Sequence, residues 1–569
     1  MQLRPLVQMS LGLVLLSPLS AQTTVRASVG SGGIQGNSSS GEYTAISLDG
    51  ACVAFHSWSS NLAPSDTNGR FDVFVHEPAS GQTVLVSVNS SGTLGNDSSA
   101  YASISGDGRY VAFNSVATNL APGDVNQASD VFVHDRVTGT TTLVSTDSQG
   151  VRGNHDSFQP SISADGRFVV FNSTATNLVQ GDTNGVLDVF VRDRLSGTTV
   201  RVSVDSAGGQ GNDSSYLPRI SADGSTVTYY SYARNLVPGD WNGAHDVFVH
   251  ELASGLTERV SIGASGAEPD QQSWTGSLSA DGRFVTFNSV ATNLIAGDTN
   301  SAADVFVKDR ATGVVIRASV SSQGLPANST CQDAFLSADG RYVGFTSWAT
   351  NLVLGDTNSA SDVFVHDLVT GDTVRASVDS AGVLGDGFSM KPCLSGDGRQ
   401  IAYGSRAANL VSGDTNNQSD VFMRDRSPFS IGDNYCGPAN LNSSGNPARI
   451  SAFGDGTVSS NNLTLVATQL PLNVWGYFLN SDLQGFIPFP GGSSGNLCLG
   501  GGIGRHSNQV ANSGAGGELM IHVDLTVLPR ASGVHSVLAG ETWNFQCWFR
   551  DFQSGPTSNF TDGIEIVFQ

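Results

Sequence analysis

The pattern D-x-N-x-x-x-D occurs seven times in this sequence, and its oxygen-bearing side chains could bind a metal ion. Oxygen ligands at positions one, three and seven of a loop suit a hard cation such as Ca²⁺, with backbone carbonyls and water completing the shell. We therefore predict structural Ca²⁺ in each copy and no other cofactor. The residues are Asp66, Asn68, Asp72; Asp124, Asn126, Asp130; Asp182, Asn184, Asp188; Asp240, Asn242, Asp246; Asp298, Asn300, Asp304; Asp356, Asn358, Asp362; and Asp414, Asn416, Asp420.

A second interpretation of the same pattern needs no metal. Asp and Asn side chains commonly cap a turn by accepting hydrogen bonds from its own backbone amides. The loops partly resemble the D-x-[DN]-x-D-G-x-x-D loops of integrin-type propellers, but position five carries no carboxylate, and Arg70 at that position would repel a cation. Both interpretations remain open at this point.

Aromatic residues recur at two positions of the same repeat and could form a ligand surface. They would stack on a glycan or peptide, or else pack between structural units. At one position lie Trp58, Tyr232 and Trp348, at the other Phe158, Tyr216 and Trp274, and Trp241 lies in a loop.

Catalytic residues are not predicted. One repeat position holds His76, His134, His250 and His366 but also Arg192, Lys308 and Arg424, so it is a scaffold position rather than a set of metal ligands. Four repeat positions carry an acid in every copy, which is typical of structural residues. A hydrolase or lyase acting on carbohydrate is the alternative, and it would need two carboxylates or several histidines converging on one site.

A repeat of 58 residues must position all these side chains. DVF[VM], S-x-D-G and N-L each occur seven times at this spacing without a slip. Short apolar runs separated by Asp-Gly and Ser/Thr-Gly turns predict four antiparallel strands per unit. The expected fold is all-β, a seven-bladed β-propeller. The seventh unit lacks its fourth strand, and residues Thr23 to Val29 match it, so we expect the N-terminus to close the ring.

The motif SADGRFVVFNS…DVFVRD resembles that of TolB-type, WD-repeat-like propellers, across residues 22–427. Their usual form is S-P-D-G, whereas this chain has Ala, Gly or Leu in place of Pro. The resemblance implies the fold, but such propellers serve as binding platforms, as assembly components and as parts of enzymes.

The repeat ends near Ser427, and residues 428–569 are predicted to form a C-terminal β-sandwich. Its segments NLCLGGGIGR, GETWNFQCWFRD and SNFTDGIEIVF resemble a domain on exported proteins of planctomycete-like bacteria, which implies no activity. Cys331 could pair with Cys393, and Cys436 could pair with Cys498 or Cys547.

The N-terminal residues 1–21 read as a signal peptide, with an apolar core and a Leu-Ser-Ala cleavage site. A net charge of −22 argues against nucleic-acid binding. No transmembrane segment is predicted, and we expect a monomer. We predict a bacterial protein, secreted to the periplasm or cell exterior, which is a non-enzymatic scaffold binding protein or glycan through the loop-rich propeller face.

Overall fold

The computed structural model describes residues 22–124, 126–263, 266–426, 430–431, 433–436, 439–453, 458, 461, 463–514, 517–551 and 557–568. The predicted signal peptide lies outside these residues. The chain divides into two compact units, one spanning Thr23–Arg426 and the other beginning at Ser427. Strands dominate both units, and the described residues include no α-helix. None of their helical segments is long and apolar enough to span a bilayer.

The first unit is a propeller of seven four-stranded antiparallel sheets, called blades one to seven. In order from the innermost strand, the blades contain Ser40–Ile46, Val53–Ser57, Asp72–Glu77, Gln82–Leu85; Ser99–Ile104, Tyr110–Ser115, Asp130–Asp135, Thr140–Leu143; Ser157–Ile162, Phe168–Ser173, Asp188–Asp193, Thr198–Arg201; Ser215–Ile220, Thr226–Ser231, Asp246–Glu251, Thr257–Arg259; Ser273–Leu278, Phe284–Ser289, Asp304–Asp309, Val315–Arg317; Cys331–Leu336, Tyr342–Ser347, Asp362–Asp367, Thr373–Arg375; and Ser389–Leu394, Gln400–Ser405, Asp420–Asp425, Thr24–Arg26. A small hairpin joins Val29–Gly30 and Ile34–Gln35.

The second and third strands of each blade are buried on both faces because each sheet packs between two neighbours. An aromatic pair crosses these strands in every blade, with ring centroids 5.6–6.2 Å apart. Seven apolar clusters each combine residues of two adjacent blades. The repeated Val and Phe positions therefore form the contacts between blades.

The N-terminal strand completes blade seven, as the sequence predicted. Thr24 pairs with Arg424, and Arg26 pairs with Phe422. The Ser28 hydroxyl donates to Asp420, and Ala27 is fully buried in the cluster that joins blades seven and one. The two ends of the repeat array are thus held together by both backbone pairing and core packing.

Backbone hydrogen bonds also join all seven blades in a ring at their S-x-D-G turns. In each bond, a backbone amide of one turn donates to the carbonyl oxygen of the second residue of the next turn, with N···O distances of 2.8–3.0 Å. The donor is the second residue of the turn in six blades and the third residue in blade four. The donor and acceptor pairs are Leu48 to Gly106, Gly106 to Ala164, Ala164 to Ala222, Asp223 to Ala280, Ala280 to Ala338, Ala338 to Gly396, and Gly396 back to Leu48. Proline has no amide hydrogen, so it could not donate this bond from the second position, where six of the seven turns donate it.

Leu48 is the one large residue in this ring, and both of its ring neighbours are glycines. A Cβ at Gly106 would lie 3.1 Å from Leu48 Cδ1, and one at Gly396 would lie 3.4 Å from Leu48 Cβ. The two glycines therefore leave space for the Leu48 side chain within the ring of turns.

The C-terminal unit contains two main sheets, and its buried residues form one apolar cluster. The first sheet contains Ser430–Ile431, Arg449–Phe453, Leu463–Thr468 and Leu519–Val523. The second contains Asp433–Tyr435, Gly563–Val567, Thr542–Asp551, Trp475–Ser481 and Gly504–Arg505, with Ala511–Asn512 and Thr557–Phe560 paired beside it. Two hairpins, Gln484–Pro488 with Asn496–Leu499 and Leu528–Arg530 with Gly533–His535, complete the strands.

The cysteines correct one of the sequence predictions. Cys436 and Cys498 form a disulfide, which was one of the two pairings left open. The pairing of Cys331 with Cys393 is wrong, because both are buried free thiols. Cys331 is the first residue of its strand, and its Sγ lies 3.1 Å from the Ser347 hydroxyl. Cys393 lies four residues further into the first strand of the next blade, where it contacts Thr44.

Candidate functional site

The innermost strands enclose a central cavity of about 150 Å³, which residues of all seven blades line. The S-x-D-G ring lies at one end, on the face we call the turn face. The opposite loop face carries the loops between second and third strands and between blades. Between them, one aliphatic residue per blade borders the cavity: Ile46, Ile104, Ile162, Ile220, Leu278, Leu336 and Leu394. The cavity is therefore apolar over much of its depth.

One cation, Arg219 of blade four, projects into this cavity. Serines at its repeat position in three other blades accept a hydrogen bond from the next blade's backbone amide; these are Ser103, Ser161 and Ser277. Among the described residues, no carboxylate lies within 4 Å of the Arg219 guanidinium. Burial lowers its pKa, and Tyr43 and Cys393 offset this only in part. Arg219 is thus a half-buried cation in the cavity lining, without an ion pair in the described part of the chain.

The loop-face end of the cavity adds polar and aromatic groups. Tyr43 and Tyr101 border it with ring centroids 4.6 Å apart, and Lys391 Nζ lies 3.7 Å from the centre of the Tyr43 ring. Asp333 lies near Lys391; burial raises the Asp333 pKa and Lys391 lowers it. The lining thus includes Arg219, and Lys391 lies at its edge beside Tyr43.

The seven aromatic residues proposed as a ligand surface divide into two groups. Trp241 is 81 % exposed, and Trp58 and Tyr232 are each just over 40 % exposed. Phe158, Tyr216, Trp274 and Trp348 are half-buried. Tyr216, Tyr232 and Trp274 form a continuous cluster with Tyr230 and His245, in which neighbouring rings lie 4.9–6.2 Å apart. The proposed ligand surface therefore includes residues that pack against other rings and residues that are exposed to solvent.

The D-x-N-x-x-x-D loops bury the carboxylates of their first and seventh residues. In six loops one arginine lies against both carboxylates. These pairs are Arg152 with Asp124 and Asp130, Arg201 with Asp182 and Asp188, Arg259 with Asp240 and Asp246, Arg317 with Asp298 and Asp304, Arg375 with Asp356 and Asp362, and Arg26 with Asp414 and Asp420. The first loop differs and is treated below.

The loop asparagines cap the turn in the way that the metal-free interpretation described. Asn184 Oδ1 accepts from the Val186 amide, and its Nδ2 donates to Asp188 and to the Gly211 carbonyl. In blade four a third carboxylate, Glu268, comes within 4.8 Å of Asp240 and Asp246. Arg259 Nη1 lies 3.0–3.5 Å from all three, so a protein cation already lies where a metal would have to bind.

The repeated histidines have a common structural role. The Nδ1 atoms of His76, His134, His250 and His366 lie 2.8–2.9 Å from a threonine hydroxyl on the neighbouring strand. Arg192 and Arg424 donate to threonine hydroxyls at the same repeat position. This agrees with a scaffold position that accepts either a histidine or a longer cation.

Comparisons with known proteins bear on the fold alone. No protein-family model matches the chain, and no curated protein matches it. Among solved structures, TolB from Acinetobacter baumannii is similar at 15 % identity and a TM-score of 0.33, over 59 % of this chain and 63 % of TolB, less than two thirds of that protein. The Pyrococcus horikoshii acylaminoacyl peptidase aligns at 9 % identity and a TM-score of 0.41, over 76 % of this chain and 57 % of the peptidase. The WD40 repeats of RRP9 align at 9 % identity and a TM-score of 0.40, over 71 % of this chain and 99 % of theirs.

Sequence reasoning missed Arg219 and Lys391. Their signal lies in the repeat itself, because each is the only cation at its position across the seven blades. A residue whose type differs from those at the same repeat position in the other six blades is not required by the common scaffold.

Proposed function

We propose that this chain is an exported, non-enzymatic binding protein whose propeller takes an anionic group of a protein partner into the central cavity. The observation that carries the proposal is Arg219, a guanidinium inside the cavity without an ion pair among the described residues. A cation that is partly withdrawn from water gains free energy from a partner, so a carboxylate entering from the loop face would pair with the half-buried Arg219.

The lining indicates the kind of anion. A space of about 150 Å³ with aliphatic walls accommodates an acidic side chain or the terminal carboxylate of a peptide. A sugar ring needs several hydrogen-bond partners around it, and the seven aliphatic side chains offer none at their level of the cavity. Of the serines beside that level, Ser103, Ser161 and Ser277 already accept a backbone hydrogen bond. We therefore favour a protein partner over the glycan.

The enzymatic alternative finds less support. A glycosidase uses two carboxyl groups that flank the scissile bond. None of the described residues that line the cavity carries a carboxylate, and Asp333 lies outside this lining, beside Lys391. His56 and His245 lie in separate aromatic clusters of blades one and four rather than converging on one point.

Peptide arrays with free and amidated C-termini, together with an array of acidic glycans, test this function. We expect the purified chain to retain peptides that carry a free carboxylate. Arg219→Gln should weaken their binding by about 30-fold or more, because truncating one partner of a buried charge pair costs about 2 kcal/mol or more.

Arg406→Gln is the matched control. Arg406 is an exposed arginine on the loop face at the repeat position of Trp58 and Tyr232. Equal losses in the two variants, or retention of glycans alone, would contradict binding of a protein anion in the cavity.

A further inference from the structure

Among the described residues, no arginine lies against the carboxylates of the first D-x-N-x-x-x-D loop, whereas one does in each of the other six. The guanidinium comes from one of two repeat positions: the fourth strand, as with Arg201, or the loop after it, as with Arg152. In blade one these positions hold Leu85 and Leu94. Both leucines belong to or pack against the apolar cluster of blades seven and one.

The two carboxylates of this loop are nevertheless as buried as their counterparts. Asp66 is 5 % exposed and Asp72 is fully buried. Both carboxylate oxygens of Asp66, and Oδ2 of Asp72, have no hydrogen-bond partner within the described chain. In the other loops, carboxylate oxygens without a hydrogen bond still lie within 4 Å of a guanidinium. Blade one therefore holds three buried carboxylate oxygens that have neither a hydrogen-bond partner nor a guanidinium among the described residues.

Arg70, which the sequence placed inside this loop, does not supply the missing charge. Its guanidinium turns to the surface and pairs with Asp97 at 3.4 Å. Its backbone amide donates to Asn68 Oδ1, and Asn68 Nδ2 donates to the Gly95 carbonyl. The cation that the sequence suggested would repel a metal is thus directed away from Asp66 and Asp72.

We propose that the first loop binds a single Ca²⁺ through Asp66 and Asp72, and that the arginines replace this ion in the other six blades. Anionic oxygen ligands on an irregular loop suit Ca²⁺, whose shell accepts backbone carbonyls and water at variable angles. The predicted set of seven sites is thereby narrowed to one site. Burial raises the pKa of both carboxyls, and the charge of Asp66 raises that of Asp72 further, whereas the Ser87 hydroxyl, which donates to Asp72 Oδ1, lowers it. Hydrogen bonds are thus the internal compensation, and no ion pair with a described cation adds to them.

Isothermal titration of the full chain with CaCl₂ after removal of divalent ions tests the proposal. We expect one equivalent of bound Ca²⁺ and an unfolding temperature that is higher in Ca²⁺ than in EDTA. Asp66→Asn should abolish the binding heat. Asp182→Asn removes the corresponding carboxylate of blade three, beside Arg201, and should leave the stoichiometry at one.

Leu85→Arg is the decisive variant because it copies the arrangement of Arg201, Arg259, Arg317 and Arg375. It should fold, lose Ca²⁺ binding and unfold at the same temperature in Ca²⁺ and EDTA. Leu94→Arg, which copies Arg152, provides a second variant if the first does not fold. Zero or seven equivalents in the unaltered chain, or undiminished Ca²⁺ binding by a folded arginine variant, would overturn the proposal.

Discussion

The two faces of the propeller arise from the same repeat, but the seven blades agree closely on one face and differ on the other. On the turn face, every S-x-D-G turn has a serine that donates to its own aspartate, and the ring of backbone bonds passes through all seven blades. On the loop face, single blades depart from the pattern, as with Trp241 in the fourth and Lys391 in the seventh. Uniform positions hold the ring together, whereas departures indicate where a ligand or ion could bind.

Removal of the closing strand should cause the largest loss of stability, because this strand completes blade seven and also supplies Arg26 to two buried carboxylates. Deleting residues 24–29 removes the pairing with blade seven and takes Arg26 away from Asp414 and Asp420. The loss of Arg26 as the partner of these buried carboxylates should by itself lower the free energy of unfolding by about 3–5 kcal/mol. Urea unfolding should show at least this loss. Val25→Ala, at an exposed position of the same strand, is the control and should stay within about 0.5 kcal/mol. An unchanged midpoint in the deletion would show that the strand is dispensable.

The loop face should show a pH dependence that originates in blade one. Burial raises the pKa of Asp72 to about 7, above the value of about 3.9 expected in the unfolded chain. The folded state then binds more protons than the unfolded state between these values, so stability in EDTA should fall as the pH rises from 4 to 7. The Asp72 contribution is up to about 4 kcal/mol.

Unfolding of the parent and of Asp72→Asn across this pH range measures that contribution. The substitution removes the titrating group, so its curve should be flatter than that of the parent. Superimposable pH profiles would rule out the assignment to Asp72.

The turn face can be tested by two matched proline substitutions. Pro suits the second position of these turns, but Ala164→Pro removes an amide that donates to Ala222. A loss of about 1–3 kcal/mol is expected for the unpaired carbonyl. Ala222→Pro should be neutral or stabilising by about 0.4–1 kcal/mol, because Asp223 donates the ring bond in that blade. Equal effects of both substitutions on the urea midpoint would argue against a stabilising ring.

The smallest effect is expected at Cys331, where the loop-face end of a first strand carries a thiol in place of a serine. Cys331→Ser restores the serine pair that Ser157 and Ser173 form in blade three, and should change stability by less than about 1 kcal/mol. Mass spectrometry of the unreduced chain should show the Cys436–Cys498 bond and four free thiols. A Cys331–Cys393 peptide would refute the described geometry.

Much of the fold could be predicted because each blade repeats the same local instructions. Asp-Gly turns and runs such as FVVFNS specify short hairpins, and seven copies at one spacing specify a ring of blades. Closure by residues 23–29 was also predictable, since the missing strand and the orphan strand have matching sequences. The Cys331–Cys393 pairing failed because proximity in the repeat does not determine where two thiols point.

The sequence by itself determined the strands, their order and the scaffold positions, because these depend on periodicity and turn chemistry within 58 residues. Only the tertiary structure decided which charges meet. Arg201 lies 13 residues from Asp188 in the chain and reaches it across a strand pair, whereas Arg26 reaches Asp420 across the closure of the whole ring. Arg219, and the pair Asp66 and Asp72, are candidate binding groups because no described residue of opposite charge pairs with them. Burial without a counter-charge is a property of the folded molecule, which no single stretch of sequence displays.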